Sequence, residues 1–328
     1  MAETSPTRNL ALDLVRVTEA AALAAGRYMG RGDKIKADGA AVDAMRLMLN
    51  SVEMDGVIVI GEGEKDKAPM LFNGEHLGTG EPPLLDIAVD PVDGTRPLAF
   101  GLPNSIATVA LAPRGTMFNP QPFYYMQKIA VGPVARDVVD INAPVADNLN
   151  WVAKAKGEKV EDLTVVVLDR PRHEELIVEI RKAGARIKLI PDGDIAGAIM
   201  TAMPETNIDL LLGIGGTPEG VIAAAAMRCL GGTIMGKLHP VHQYEIEHAK
   251  KRGLDLNKPL LLEDLISSED VFFAATGITT GDLLTGVSYF ANGAKTDSLV
   301  MRGITGTIRR IIATHHLNRL SEISSIPY

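Results

Sequence analysis

Residues 164–230 read TVVVLDRPRHEELIVEIRKAGARIKLIPDGDIAGAIMTAMPETNIDLLLGIGGTPEGVIAAAAMRCL. Three β-branched runs, 164–168, 186–190 and 208–212, predict strands, and the segments that follow them, 172–182, 195–203 and 218–230, predict helices. A strand-helix rhythm repeated three times predicts a local parallel sheet, because only a crossover helix brings the chain back to start a parallel neighbour. Ligands gather at the carboxyl ends of such strands. Here those ends read Asp169-Arg170-Pro171-Arg172-His173, Pro191-Asp192-Gly193-Asp194 and Gly215-Gly216-Thr217-Pro218-Glu219-Gly220.

Upstream, Leu10, Leu14, Val17 and Ala21 recur at helical spacing, and a second helix is predicted over 40–52, after the loop Gly30-Arg31-Gly32-Asp33-Lys34. Residues 57–60 predict a strand that ends in Gly61-Glu62-Gly63-Glu64. Residues 84–89 predict another, running into a tight turn at Asp90-Pro91-Val92-Asp93-Gly94-Thr95. Further strands are expected at 105–111, 128–131, 271–275 and 298–302, with a polar helix over 239–252. The length of 328 residues favours two subdomains, and the pattern change puts their division near Glu161, giving 1–160 and 161–328.

Composition narrows the class. The chain is 46% hydrophobic and only 4% aromatic, so its interior is built from Ala, Val, Ile and Leu, as in layered α/β proteins. A net charge of -8 argues against a nucleic-acid partner, and Lys250-Lys251-Arg252 reads as a solvated helix face. No apolar run is long enough to span a bilayer, so no membrane is expected. Cys229, the single cysteine, lies in an apolar helical run and reads as a buried, inert thiol; a reducing, cytoplasmic setting follows.

The acids carry the chemical signal. Asp90 and Asp93 read either as part of an ordinary turn or as ligands of a hard cation, which prefers a few carboxylates with water and phosphate. Glu62 and Glu64 read as a solvated loop or as a second acidic strand end converging on the first. Glu219 lies in the first turn of a helix that Thr217 would cap, where an acid either serves the helix dipole or binds a ligand. Gly215 and Gly216 would leave the backbone bare for a phosphate at that helix start. The glycine spacing does not match a dinucleotide fingerprint. Arg170 and Arg172 flank Pro171 and suit phosphate oxygens, although two surface arginines would look the same. His173 reads as a capping or surface residue.

With these motifs assembled, the chain resembles the class II fructose-1,6-bisphosphatases, within the lithium-sensitive, inositol-monophosphatase-like superfamily. The likeness runs from about Val15 to about Arg310, through Arg16-Val17-Thr18-Glu19, Gly30-Arg31-Gly32-Asp33-Lys34, Ile60-Gly61-Glu62-Gly63-Glu64, Asp90-Pro91-Val92-Asp93-Gly94-Thr95 and Gly215-Gly216-Thr217-Pro218-Glu219-Gly220. The resemblance implies a layered α/β/α/β/α sandwich and metal-dependent hydrolysis of the 1-phosphate of fructose 1,6-bisphosphate, with Mn²⁺ or Mg²⁺. It implies metal ligands at Asp38, Glu62, Asp90, Asp93 and Glu219. Substrate contacts fall on Asp93, Gly94, Thr95, Tyr125, Arg170, Pro171, Arg172, Asp192, Gly193, Asp194 and Gly216. Catalytic roles fall on Thr95, Lys34 and Asp66. The family often has Glu where Asp93 stands and Lys where Arg170 stands, and both exchanges keep the charge. A homodimer or homotetramer is implied. The alternatives are an enzyme that also takes sedoheptulose 1,7-bisphosphate and a non-catalytic, metal-loaded sugar-phosphate binder.

Overall fold

In a computed structural model, the chain is described for residues 9–62, 70–326 and 328. The first half contributes α1 (Ala11–Gly26), α2 (Lys34–Leu49), β1 (Asp55–Ile60), β2 (His76–Leu77), β3 (Leu84–Asp93), α3 (Thr95–Phe100), β4 (Ile106–Pro113), β5 (Tyr125–Val131) and α4 (Val145–Lys156). The alternating core follows as β6 (Thr164–Leu168), α5 (Glu174–Ala183), β7 (Arg186–Ile190), α6 (Asp194–Met200), β8 (Leu210–Gly216), α7 (Thr217–Leu230) and β9 (Thr233–Leu238). The chain ends with α8 (Gln243–Arg252), α9 (Leu262–Leu265), β10 (Phe272–Gly277), β11 (Ser288–Phe290), β12 (Gly293–Arg302), β13 (Thr307–His315) and α10 (Leu317–Ile323).

Two sheets result. The larger has the order β11-β12-β10-β4-β3-β1-β2 with β13 paired to β12, and the smaller has the order β7-β6-β8-β5-β9. Helices α1 and α2 cover the outer face of the large sheet, α6 and α7 lie between the sheets, and α4 and α5 cover the small one. This is the expected α/β/α/β/α order of layers. Small side chains make the layers possible: Ala20–Ala22 and Ala24–Ala25 bury α1 nearly all round, and Ala223–Ala226 do the same for α7. Cys229 is buried on α7, and burial pushes its thiol up to about 12, so it is inert at neutral pH. Lys250, Lys251 and Arg252 are exposed, as expected of a solvated face. Among the described residues, no helix is long and apolar enough to cross a membrane.

The predicted parallel unit is present, with β6 parallel to both β7 and β8. A division near residue 161 does not describe the sheets, however. Strand β5 belongs to the small sheet, antiparallel to β8 and β9, and β10 to β13 return to the large one. Local periodicity reveals a crossover unit but carries no trace of antiparallel partners supplied from 79 to 91 residues away. The motif Arg16-Val17-Thr18-Glu19 holds α1 to the large sheet: the Thr276 hydroxyl donates to Thr18 Oγ1 at 2.7 Å, and the Thr296 hydroxyl donates to Glu19 Oε1 at 3.0 Å.

Asp86, 2% exposed on β3, accepts backbone N–H groups from Gly115, Thr116 and Met117 at 2.7, 3.0 and 3.2 Å, and so clamps the turn after β4. Removing it strands three donors. Asp86→Ala should lower the urea-unfolding free energy by about 2 to 4 kcal/mol; a loss under about 1 kcal/mol would show that water satisfies the turn equally well.

Candidate active site

Strand β3 does not stop at Val89 but continues to Asp93 through a bulge. Asp90 pairs with Thr108 and Asp93 with Ile106, so three steps on β3 match two on β4. In a regular strand, side chains three apart point to opposite faces; one extra residue returns the second to the side of the first. Pro91, which has no N–H to offer a ladder, occupies the bulge. The predicted tight turn is therefore a strand irregularity, with Asp90 Oδ1 accepting the Val92 N–H at 3.0 Å. Gly94 then adopts φ 92°, a left-handed conformation that side chains disfavour, and starts α3 at Thr95.

β1 runs parallel to β3, so Glu62, just beyond β1, leaves the large sheet at the same end as Asp90 and Asp93. Asp38 approaches from α2. Glu219 enters from the first turn of α7, between the sheets. From the small sheet come Asp192 and Asp194, on either side of Gly193, whose φ of 85° opens α6. These groups feel one another. Burial first, then the charges of Asp38 and Glu219, raise Glu62 to about 7. Burial, then Asp93, Glu219 and Glu62, hold Asp90 well above the usual carboxylate range; burial, then Asp194, Glu219 and Asp192, do so for Asp93. Asp38 is raised by burial.

The helix start differs from the expectation. Gly216, not Thr217, is the N-cap of α7, and the Thr217 hydroxyl is buried without a partner. Nor are the glycines bare. A side chain on Gly216 would collide with the Glu219 carboxylate, and one on Gly215 with Asp194. The room they create is filled by the protein's own acids rather than left for a phosphate.

On the other side of the gap, β6 pairs with β8 only at Val165–Leu210 and Val166–Leu211 before the strands part. The strand order reverses here, β7 lying on one side of β6 and β8 on the other, which is where open sheets form their crevices. His173, 1% exposed, spans the split. Its Nε2 accepts the Ile214 N–H at 2.7 Å, so its Nδ1 carries the proton and donates to Leu168 O at 2.7 Å. It holds the N-cap position of α5, as one of the expected readings had it, but its side chain makes no capping bond and is a buried strut rather than a surface group; burial lowers its pKa, which keeps it neutral.

Arg172 donates to Ile214 O at 2.8 and 3.1 Å and stands 5.3 Å from the Tyr125 ring centroid, while Arg170 binds Pro191 O at 2.6 Å and Asp192 Oδ1 at 3.3 Å. Tyr125 is the register partner of Gly216, so β5 delivers it to the same edge. Lys34 is exposed at the start of α2, its ammonium 5.8 Å from the Phe100 ring centroid. Asp66, with Gly63 and Glu64, lies outside the described residues.

Lys128 was missed by the sequence reading. It is buried on β5 and donates to Asp194 Oδ2 at 2.7 Å. Strand alternation contained the signal, because Met126, Lys128 and Ala130 share one face and the outer two are wholly buried.

A hard divalent cation fits this donor set. All the donors are oxygens, Glu219 Oε2 and Thr217 Oγ1 are buried without partners, and the carboxylates repel one another. Among the described residues, no three acidic or imidazole side chains are drawn closely enough together to enclose an ion by themselves.

The family described as "Bacterial fructose-1,6-bisphosphatase, glpX-encoded" matches residues 8–315. "Fructose-1,6-bisphosphatase 1 class 2" of Escherichia coli K12 and "Fructose-1,6-bisphosphatase class 2" of Shigella flexneri are each 48% identical to this chain, over 95% of it and 96% of the relative. Among solved structures, the extragenic suppressor protein SuhB of Bartonella henselae overlays at a TM-score of 0.35 with 14% identity, over 60% of this chain and 73% of that one, too loosely to bear on function. The near-complete family match and the 48% identity establish that this chain belongs to the bacterial class 2 fructose-1,6-bisphosphatase family.

Proposed function

We propose that the chain hydrolyses the 1-phosphate of fructose 1,6-bisphosphate to fructose 6-phosphate and phosphate, with Mn²⁺ or Mg²⁺ held by Asp38, Glu62, Asp90, Asp93 and Glu219. The observation that carries this reading is the convergence of acids from β1, β3 and α7 beside a crevice lined by Arg170, Arg172 and Tyr125. Such a pairing suits a substrate with one phosphate at each end. When bound, the cation supplies Lewis acidity toward the reacting phosphoryl group.

The chain's own groups do the rest. Thr95 Oγ1 donates to Val92 O at 3.3 Å, so its lone pairs remain to accept a hydrogen bond from a water and aim that water's oxygen at phosphorus. Asp192 and Asp194 accept sugar hydroxyls. Arg170, Arg172 and Tyr125 grip the phosphate that does not react, a contact equal in ground and transition states that lowers KM more than it raises kcat. Homo-oligomerisation belongs to the same proposal, by membership of the family.

Phosphate release should be measured with fructose 1,6-bisphosphate, sedoheptulose 1,7-bisphosphate and an inositol monophosphate, with and without Mn²⁺. Cation-dependent turnover of the first is expected; binding of all three with turnover of none would identify a sugar-phosphate binder.

Thr95→Ala should lower kcat by roughly 10²- to 10⁴-fold at saturating cation and substrate, and Thr95→Ser should keep most activity. Equal failure of the two folded variants would assign the effect to the lost methyl group instead.

Glu62 gives a pH signature. Its pKa is raised from 4.5 to about 7 in the fold, so folding is helped where it is protonated, and that help is lost as pH climbs from 4.5 through 7. The Tm of chelator-treated protein should therefore fall between pH 5 and pH 8, and Mn²⁺ should raise Tm most at pH 8. The Glu62→Gln variant should lose part of this slope, the rest belonging to Asp90 and Asp93, which are raised by the same cluster. A Tm that rises across the same range with Glu62 intact, and is unchanged by Glu62→Gln, would place Glu62 outside the cluster.

A further inference from the structure

Lys128 has no place in the chemistry just described, yet it is buried and two glycines leave room for it. An ammonium on the inward face of β5, between fully buried Met126 and Ala130, costs more to desolvate than an apolar side chain would return, unless it is paired. Its partner is Asp194 Oδ2 at 2.7 Å.

Two glycines on different elements make the slot for this pair. A side chain on Gly215 of β8 would collide with Asp194 Oδ2 and come within 3.0 Å of the Lys128 ammonium. One on Gly220 of α7 would lie 3.4 Å from Lys128 Cε, against Met126. The pair sits inside the acid cluster. Asp194 is the largest charge pushing up both Asp93 and Glu219, and Lys128 is the cation that opposes it at Glu219.

Resting on the bisphosphatase reading of the site, we propose that Lys128 is a positioning residue that holds Asp194 by one oxygen, leaving the other for a sugar hydroxyl, and that limits the negative charge the cluster presents. Such a site has to attract a cation and a doubly phosphorylated anion together. Without Lys128, seven carboxylates opposed only by Arg170 at Asp192 would favour the first and repel the second.

This gives effects of opposite sign that a packing role cannot produce. The full chain, stripped of metal, is titrated with Mn²⁺ by calorimetry without substrate, and KM is measured separately with fructose 1,6-bisphosphate. Lys128→Met should tighten Mn²⁺ binding by about 5- to 10-fold while raising KM on the order of 10-fold. Asp194→Asn, which leaves the ammonium unbalanced, should weaken Mn²⁺ several-fold. The double variant should bind Mn²⁺ within about 2-fold of the wild type and keep the raised KM.

Weakening of both ligands by Lys128→Met, or a change in neither, would overturn the inference. Should that variant fail to fold, Asp194→Asn and the double variant decide: Mn²⁺ affinity that falls in the first and recovers in the second supports the charge balance, and any other order refutes it. Absence of bisphosphate turnover in the wild type would instead remove the reading of the site, with the calorimetric shifts still judging Lys128.

Discussion

Glu62 beyond β1, Asp90 and Asp93 on β3 and Glu219 on α7 converge from three backbone segments, and their mutual repulsion is the constraint under which this end of the molecule is built. A fold holds like charges together only if packing elsewhere prevents the segments from moving apart. Here the large sheet fixes β1 beside β3, the bulge at Pro91 turns Asp90 and Asp93 to one side, and α7 is locked between two sheets. The rigid scaffold and the strained charge are two sides of one arrangement.

The middle layer shows how composition serves this end. Ala223–Ala226 let α7 approach both sheets closely enough for its first turn to reach the acids of β3. Bulkier residues would fill the same layer and carry Glu219 away from Asp90 and Asp93. The scarcity of aromatic residues in the sequence is thus tied to the chemistry of the site as well as to the class of fold.

The small sheet answers with positive charge. Arg170 and Arg172 stand at the split between β6 and β8, which His173 keeps braced, and Lys128 rises from beneath. Each cation already has a partner, Asp192, a backbone carbonyl or Asp194, so the site is poised before any ligand arrives. Arg170 and Arg172 remain at the surface of the crevice, where they can meet a phosphate. Lys128 is enclosed and can act only through what it holds.

Residues 164–230 by themselves determined the alternating strands and helices, because their hydrophobic periodicity is local and a parallel sheet is the arrangement that satisfies it. The acidic strand ends were legible for the same reason: carboxylates beside Gly and Pro stand out against apolar runs. Tertiary structure decided the rest. Strand β5 joined the small sheet and β10 to β13 the large one through antiparallel pairing between distant segments, which leaves no mark on local pattern. The bulge that aligns Asp90 with Asp93 exists only as a mismatch between two strands. The glycines of the Gly215-Gly216 motif looked like open backbone, because nothing in the sequence shows that Asp194 and Glu219 fold back over them. Lys128 looked like one more strand residue because its meaning lies in a carboxylate 66 positions away. Spacing along a chain encodes which face a side chain takes; only packing determines what it meets there.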